Sequence, residues 1–461
     1  MKSFKRCLAL VLFMGFLGSQ LFAQAPAGQP QQQDTGTFIE DKLFKIVADA
    51  YDRRDEQEFL RLHDFFLTSF PNSQKRAQLD AFRNKFFYSE ALDIFKLGGA
   101  LVEVTNPPAK TWEELSEFFK QLKQKGMKRV QVQVYQSLGK PVYLFVKPNS
   151  PQGYFFKNPN GAVVEDILDK MADLVHDNEM QLYASLPIKN QLFLDRLPFL
   201  MIDSSYNPTT HDLKLNGKLD LLHPEAGDLL FNLVEALSKT KVDGVIIEDD
   251  FTLNPTEGFS PNAIRRFKLD TGIELDLNNL LVAYQAKGDW GVAGKEEWEV
   301  FLKWRSHQIK QLLFELVDRS KKLRKEFLVG AEVTPEMLGS DPLVSRRWYS
   351  TSFDLLWDLD VDFYILKWRK QGSIGESSAE TYLSALTRLR QKFDQTKNIY
   401  LKIPLSEETQ NVIKLNDYIN LHLGWMEDQK GLMHAIGPID RQREFDFLQH
   451  RVVEKLQVET K

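Results

Sequence analysis

The sequence predicts an α/β fold, a (β/α)8 barrel preceded by a short all-α segment. Three observations carry that expectation. Between residues 100 and 436, eight short β-rich runs alternate with amphipathic helical stretches, the texture of βα units building a parallel sheet. The stretch is long enough for a single barrel with enlarged loops. No glycine-rich phosphate loop follows the first run, which counts against a nucleotide-binding, doubly wound open sheet, the main alternative.

In chain order, Met1 to Ala25 comes first. Lys2, Lys5 and Arg6 precede a short apolar run from Leu8 to Leu17, and small residues close it at Ala23-Gln24-Ala25. That layout is an export signal, too short for a comfortable membrane span. Cleavage near Ala23 avoids Pro26 beside the bond, and an uncleaved anchor is the alternative. Removal takes three positive charges and no negative one from a formal charge of −5, leaving −8. The only cysteine, Cys7, leaves with it, so disulfides, cysteine-ligated zinc and cysteine nucleophiles are excluded. The mature chain is expected to be exported, periplasmic or envelope-associated, with no membrane span. Its acidity offers nucleic acid no partner surface.

Residues 24–37, rich in Gln, Pro, Ala and Gly, read as a linker. Residues 38–96 read as helical. Leu43, Ile46, Val47 and Ala50 mark one helix, and Phe59, Leu62, Phe65 and Phe66 a second. The turn falls at Arg53-Arg54-Asp55, the second helix stops at Phe70-Pro71-Asn72-Ser73, and a third is expected over Lys75 to Phe95. This segment resembles a tetratricopeptide-type hairpin. One such unit cannot bury its own apolar face, so it packs on the barrel or on an envelope protein partner; a plain helical cap is the alternative.

The barrel is expected over 97–455. Its strands are Ala100–Val104, Val130–Tyr135, Gln181–Leu186, Val242–Asp249, Phe327–Val333, Val361–Lys367, Ile399–Pro404 and Leu432–Ile436. Helices are expected over Trp112–Lys125, Val163–His176, Glu225–Lys239, Lys295–Lys325, Ala379–Phe393 and Asp417–Gln429. The longest insertions follow strands two, three and four and would rise on the face where barrels bind ligands.

Strand four carries the chemistry. Val245-Ile246-Ile247 runs straight into Glu248, Asp249 and Asp250. Regular alternation would put Glu248 and Asp250 on one side and Asp249 on the other. Crowded carboxylates raise at least one pKa, which keeps a general acid protonated near neutral pH. Acids at the C-terminal mouth of an aromatic-rich, exported barrel favour glycoside hydrolysis. A helix cap, a surface ion pair or a divalent-cation site are the plainer alternatives. Glu332, ending strand five, is a second candidate carboxylate or else a buried partner of Lys367 or Lys402, which end strands six and seven. Those lysines are candidate substrate contacts, together with Glu248. Tyr135, Tyr183, Trp368 and Trp425, at or just beyond strand ends, are candidates for stacking on sugar rings. Asp360 and Asp362 begin strand six and read as stabilising residues at the barrel bottom, and His223 as a helix cap. Neither a metal nor a cofactor is indicated.

The segment "VDGVIIEDDFTLNPTEGFSP" (Val242–Pro261) resembles the DGI-x-F-H-D-D strand of the PgaB C-terminal glycoside-hydrolase-like domains. "LDLLHPEAGDLL" (Leu219–Leu230) and "WEVFLKWRSHQIKQLLFEL" (Trp298–Leu316) are similar to two of that family's helix motifs. The resemblance implies a hydrolase of partly deacetylated poly-β-1,6-N-acetylglucosamine, with the paired aspartates on Asp249 and Asp250. Asp249 is then the leading general acid, and Asp250 tunes it or orients water. Two departures stand out. Glu248 replaces the family's histidine, and the metal-dependent deacetylase domain is replaced by the helical segment, so no deacetylation is carried over. A non-catalytic polysaccharide-binding or export-assembly protein is the alternative.

Overall fold

The computed structural model describes residues 35–53, 55–79, 82, 100–191, 199–207, 209–277, 295–338, 342–367, 398–404 and 432–440. The expected signal and almost all of the linker lie outside the described residues. So do most of the third N-terminal helix, the helices expected at Ala379–Phe393 and Asp417–Gln429, and both Trp368 and Trp425. The chain divides into two compact units, Met1–Glu90 and Ala91–Lys461. Among the described residues no helix is long and apolar enough to cross a membrane.

In the first unit, α1 (Thr35–Asp52) and α2 (Glu56–Ser69) meet at the expected turn. The Asp55 carboxylate accepts the Glu58 amide at 3.1 Å and so caps α2. Leu43, Val47 and Ala50, spaced for one helix face, are buried together with Phe59 and Phe66. Phe44, Tyr51 and Phe82 extend this core as a ring stack, with centroids 6.0 and 4.7 Å apart.

The second unit is a closed barrel of eight parallel strands: β1 (Ala100–Val104), β2 (Met127–Gln133), β3 (Gln181–Leu186), β4 (Gly244–Ile247), β5 (Leu328–Val333), β6 (Phe363–Leu366), β7 (Asn398–Pro404) and β8 (Leu432–Ile439). Strands pair in chain order, and β8 closes on β1 through Leu101 opposite Ala435, which excludes the open sheet. The described outer helices are α3 (Trp112–Gln124), α4 (Leu168–His176), α5 (Ala226–Ser238), α6 (Pro261–Thr271), α7 (Lys295–Lys321), α8 (Pro342–Tyr349) and α9 (Phe353–Trp357). Local chemistry sets their ends. Thr111 accepts the Glu114 amide ahead of α3, whose Leu115, Phe118, Phe119 and Leu122 form the buried stripe. Ser260 and Pro261 start α6, and left-handed Gly272 ends it.

Inside the barrel, Leu101, Tyr183, Ile246, Phe363, Ile365, Tyr400 and Ala435 form a packed apolar layer. Phe363 stands edge-on to Tyr183 and Tyr400, at 5.4 and 5.3 Å. Gly330 makes room for it, since a Cβ there would lie 2.3 Å from the Phe363 ring. At the bottom, Asp362 accepts the Val329 amide at 2.8 Å and, like Asp360, pairs with Lys321. The excursions after β2, β3 and β4 are long, and the second contains a hairpin of Ile202–Asn207 against Asp212–Leu219.

Candidate active site

Alternation along β4 puts Gly244 and Ile246 in the barrel interior, and Glu248 continues that row above the apolar layer. The Glu248 amide still donates to Leu186 O at 3.0 Å, so its backbone remains tied to β3. The chain then turns sharply at Asp249–Phe251, a single 3-10 turn. Strand alternation therefore ends one residue after Glu248, which changes where each of the three acids goes.

Glu248 faces inward. Its Oε1 accepts from Ser185 Oγ at 2.9 Å, and its Oε2 lies 3.5 Å from the Tyr135 hydroxyl. Burial, then the charges of Asp250 and Glu332, push its carboxyl up to about 8, against smaller opposing pulls from Lys367 and Ser185. That shift favours the protonated form of Glu248 near neutral pH. Asp249 is nearly buried and pairs with Lys367 Nζ at 3.4 Å. Lys367 also reaches Glu332 Oε2 at 2.8 Å, and Lys402 lies 3.5 Å from Glu332 Oε1 while pairing with Glu103 on its other side. Burial alone would raise Glu332, yet the two lysines outweigh it and hold it below the usual carboxylate range. Burial alone would lower Lys367, yet the neighbouring carboxylates, Glu332 first and then Asp249, hold it well above the usual lysine range. The row Glu103, Lys402, Glu332, Lys367, Asp249 alternates in sign across the mouth, with Glu248 beside it.

Asp250 turns toward the loop after β3. Its carboxylate accepts three backbone amides of the β3 loop: Ile188 at 2.6 Å, Lys189 at 2.9 Å and Asn190 at 2.8 Å. Burial raises its pKa and these bonds oppose the rise. Asp250 ties the turn after β4 to the loop after β3. Tyr183 departs from expectation. It is wholly buried in the interior layer, and its hydroxyl turns toward the barrel bottom to meet Gln181 Oε1 at 3.1 Å. A ring in that position cannot stack on a ligand at the mouth. Its position as the third residue of β3 places it mid-strand; the residue of β3 that reaches the site is Ser185. Tyr135 does reach the site, but it brings a hydroxyl to Glu248. Glu332 is the buried partner of both lysines. His223 sits just ahead of α5, where its Nδ1 accepts the Glu225 amide at 3.2 Å.

Three site residues were missed by sequence reasoning: Glu103, Gln131 and Ser185. Each is a polar residue in the inward-facing row of its strand, near the C-terminal end, which is the signal that could have found them. Among the described residues, no three of His, Cys, Asp or Glu are arranged to hold a metal ion. The arrangement offers a proton donor, Glu248, next to a carboxylate fixed by a lysine, Asp249.

No family model matches the sequence, and no curated protein matches it. Solved structures share the fold. The PgaB (BpsB) glycoside hydrolase domain from Bordetella bronchiseptica superposes with a TM-score of 0.53 at 16% identity, covering 77% of this chain and 99% of that one. The catalytic domain of β-amylase from Paenibacillus polymyxa gives a TM-score of 0.50 at 9% identity, covering 78% of this chain and 97% of that one. At such identities the likeness is one of fold, a (β/α)8 barrel of the kind on which glycoside hydrolase domains are built.

Proposed function

We propose that this chain is an exported glycoside hydrolase that cleaves an amino-sugar exopolysaccharide, partly deacetylated poly-β-1,6-N-acetylglucosamine. The observation that carries the reading is Glu248, buried at the barrel mouth between Ser185 and Tyr135 with its carboxyl pushed up to about 8, beside the lysine-paired Asp249. Glu248 gives its proton to the glycosidic oxygen as the bond from that oxygen to the anomeric carbon breaks, and the bonding electron pair stays with the departing oxygen. Asp249 presents negative charge to the oxocarbenium-like centre and to the incoming water, whose proton returns to the carboxylates. The acid role thus passes from Asp249 to Glu248, and Asp250 holds the loop. The likeness to the PgaB domain and the acidity of the chain both support a polymer bearing free, positively charged amines.

The basic and apolar start of the chain supports export to the periplasm or cell envelope, with cleavage near Ala23. Residues 38–96 are proposed to engage an envelope partner. The test is a digest of partly deacetylated poly-β-1,6-glucosamine by the mature protein and its Glu248→Gln and Asp249→Asn variants, with released oligosaccharides read by mass. Cleavage by the wild type and its loss in both variants is expected. Binding without cleavage in all three proteins would refute the enzyme reading in favour of a polysaccharide-binding protein.

A further inference from the structure

Glu332 is ion-paired to Lys367 and Lys402 and fully buried, so it only accepts hydrogen bonds. Gln131 approaches its Oε1 at 3.1 Å and must present its NH2 group there, because the flipped amide would set one acceptor against another. The same Nε2 stands 3.1 Å from Ser185 Oγ, so its second hydrogen goes to that hydroxyl. Ser185 therefore accepts from Gln131, and its own single proton is left to donate to Glu248 Oε1 at 2.9 Å. When Glu248 is neutral, the oxygen that receives such a bond is favoured as its carbonyl oxygen.

We infer that Gln131 and Ser185 are positioning residues that read the direction of the Glu332 charge across the barrel and fix the acidic proton of Glu248 on Oε2, the oxygen nearest Tyr135. The inference rests on the proposed acid role of Glu248. With both oxygens equivalent, a neutral carboxyl spreads its proton over two sites, only one of which faces the leaving oxygen. The relay removes that ambiguity before substrate arrives, as preorganisation requires. Tyr135 stands at the other end, its hydroxyl 3.5 Å from Oε2. The groups facing Glu248 are Tyr135, Ser185, Glu332, Lys367 and Asp250, with Asp249 its neighbour in the chain.

Infrared difference spectroscopy on the whole protein tests this without any substrate. The stretch of the neutral Glu248 carbonyl is assigned by its disappearance in Glu248→Gln. It is expected to shift to higher frequency in Ser185→Ala, because the carbonyl oxygen loses its donor, and to return in Ser185→Thr. Gln131→Met should produce the same shift if it folds, and Ser185→Ala decides the matter by itself. In turnover, Ser185→Ala should lower kcat about 10-fold with KM unchanged. Its alkaline limb should move upward, since the lost bond favoured the ionised form. An unmoved band in Ser185→Ala, or no neutral band at pH 7 in the wild type, would overturn the inference. A band that shifts as expected in a protein that cleaves nothing would support the proton placement while refuting the hydrolase reading.

Discussion

Replacing Lys367 with methionine should expose the electrostatic design of the mouth. The Lys367 ammonium lies 2.8 Å from Glu332 and 3.4 Å from Asp249, so Lys367→Met strips a counter-charge from two carboxylates at once. Breaking a buried ion pair costs about 3–5 kcal/mol. Lys367 is 30% exposed at its side chain, and Lys402 and Gln131 stay with Glu332. Those two facts reduce the expected loss to about 2–3 kcal/mol at pH 7. The pH dependence gives the sharper test. In the wild type, Glu332 titrates below its ordinary range, so its stabilising contribution is present above that range and is lost as pH falls through the lowered value. Without Lys367 the strongest pull lowering Glu332 is gone, so its carboxyl titrates higher than in the wild type and the variant gains less stability as pH rises. The deficit against wild type should therefore shrink markedly between pH 7 and pH 5, as read from urea unfolding. Adding Glu332→Gln should recover part of the loss, because the stranded charge disappears. Equal deficits at the two pH values, or strict additivity of the two substitutions, would refute this reasoning.

Other consequences are equally concrete. Glu248→Gln removes a carboxyl whose folded pKa is raised to about 8. Wild-type stability should therefore fall as pH rises from the ordinary carboxylate range to about 8, and the variant should lack that slope in urea unfolding. Asp250→Asn leaves one acceptor oxygen for three amides and should destabilise the protein by about 2 kcal/mol, with faster hydrogen exchange at the amides of residues 188–190. Gly330→Ala forces a methyl group into the Phe363 ring and should cost about 1–3 kcal/mol, partly restored by Phe363→Leu. The protein should remain most active below pH 8, with kcat/KM falling as pH rises through about 8 and Glu248 loses its proton.

The barrel was legible in the sequence because its signals are local. Alternating apolar runs and capped amphipathic helices need only nearest neighbours, and strands such as Ala100–Val104 and Gln181–Leu186 fall where the pattern puts them. The cluster at the end of β4 was legible as a cluster but not as a set of roles. Strand alternation cannot say that the backbone turns at Asp249, which sends Asp250 to the 188–190 amides and leaves Glu248 inside. Nor does it say which acid meets a lysine from β6, because that pairing joins residues 118 positions apart. Tyr183 shows the same limit. Its side of the strand follows from period two, but its depth in the barrel depends on the stagger of all eight strands. Ser185 and Gln131 are uncharged polar residues on inward-facing rows, and their meaning appears only once they face Glu248 and Glu332.

A general acid matters only when the leaving group needs a proton. The most direct measurement therefore compares wild type and Glu248→Gln on the polymer and on a dinitrophenyl glycoside of a glucosamine oligosaccharide, whose leaving group departs unprotonated. Glu248→Gln should lose about 100-fold or more in kcat/KM on the polymer while staying near wild type on the activated substrate. An equal loss on both substrates, or undiminished cleavage of the polymer, would contradict the assignment of Glu248 as the acid.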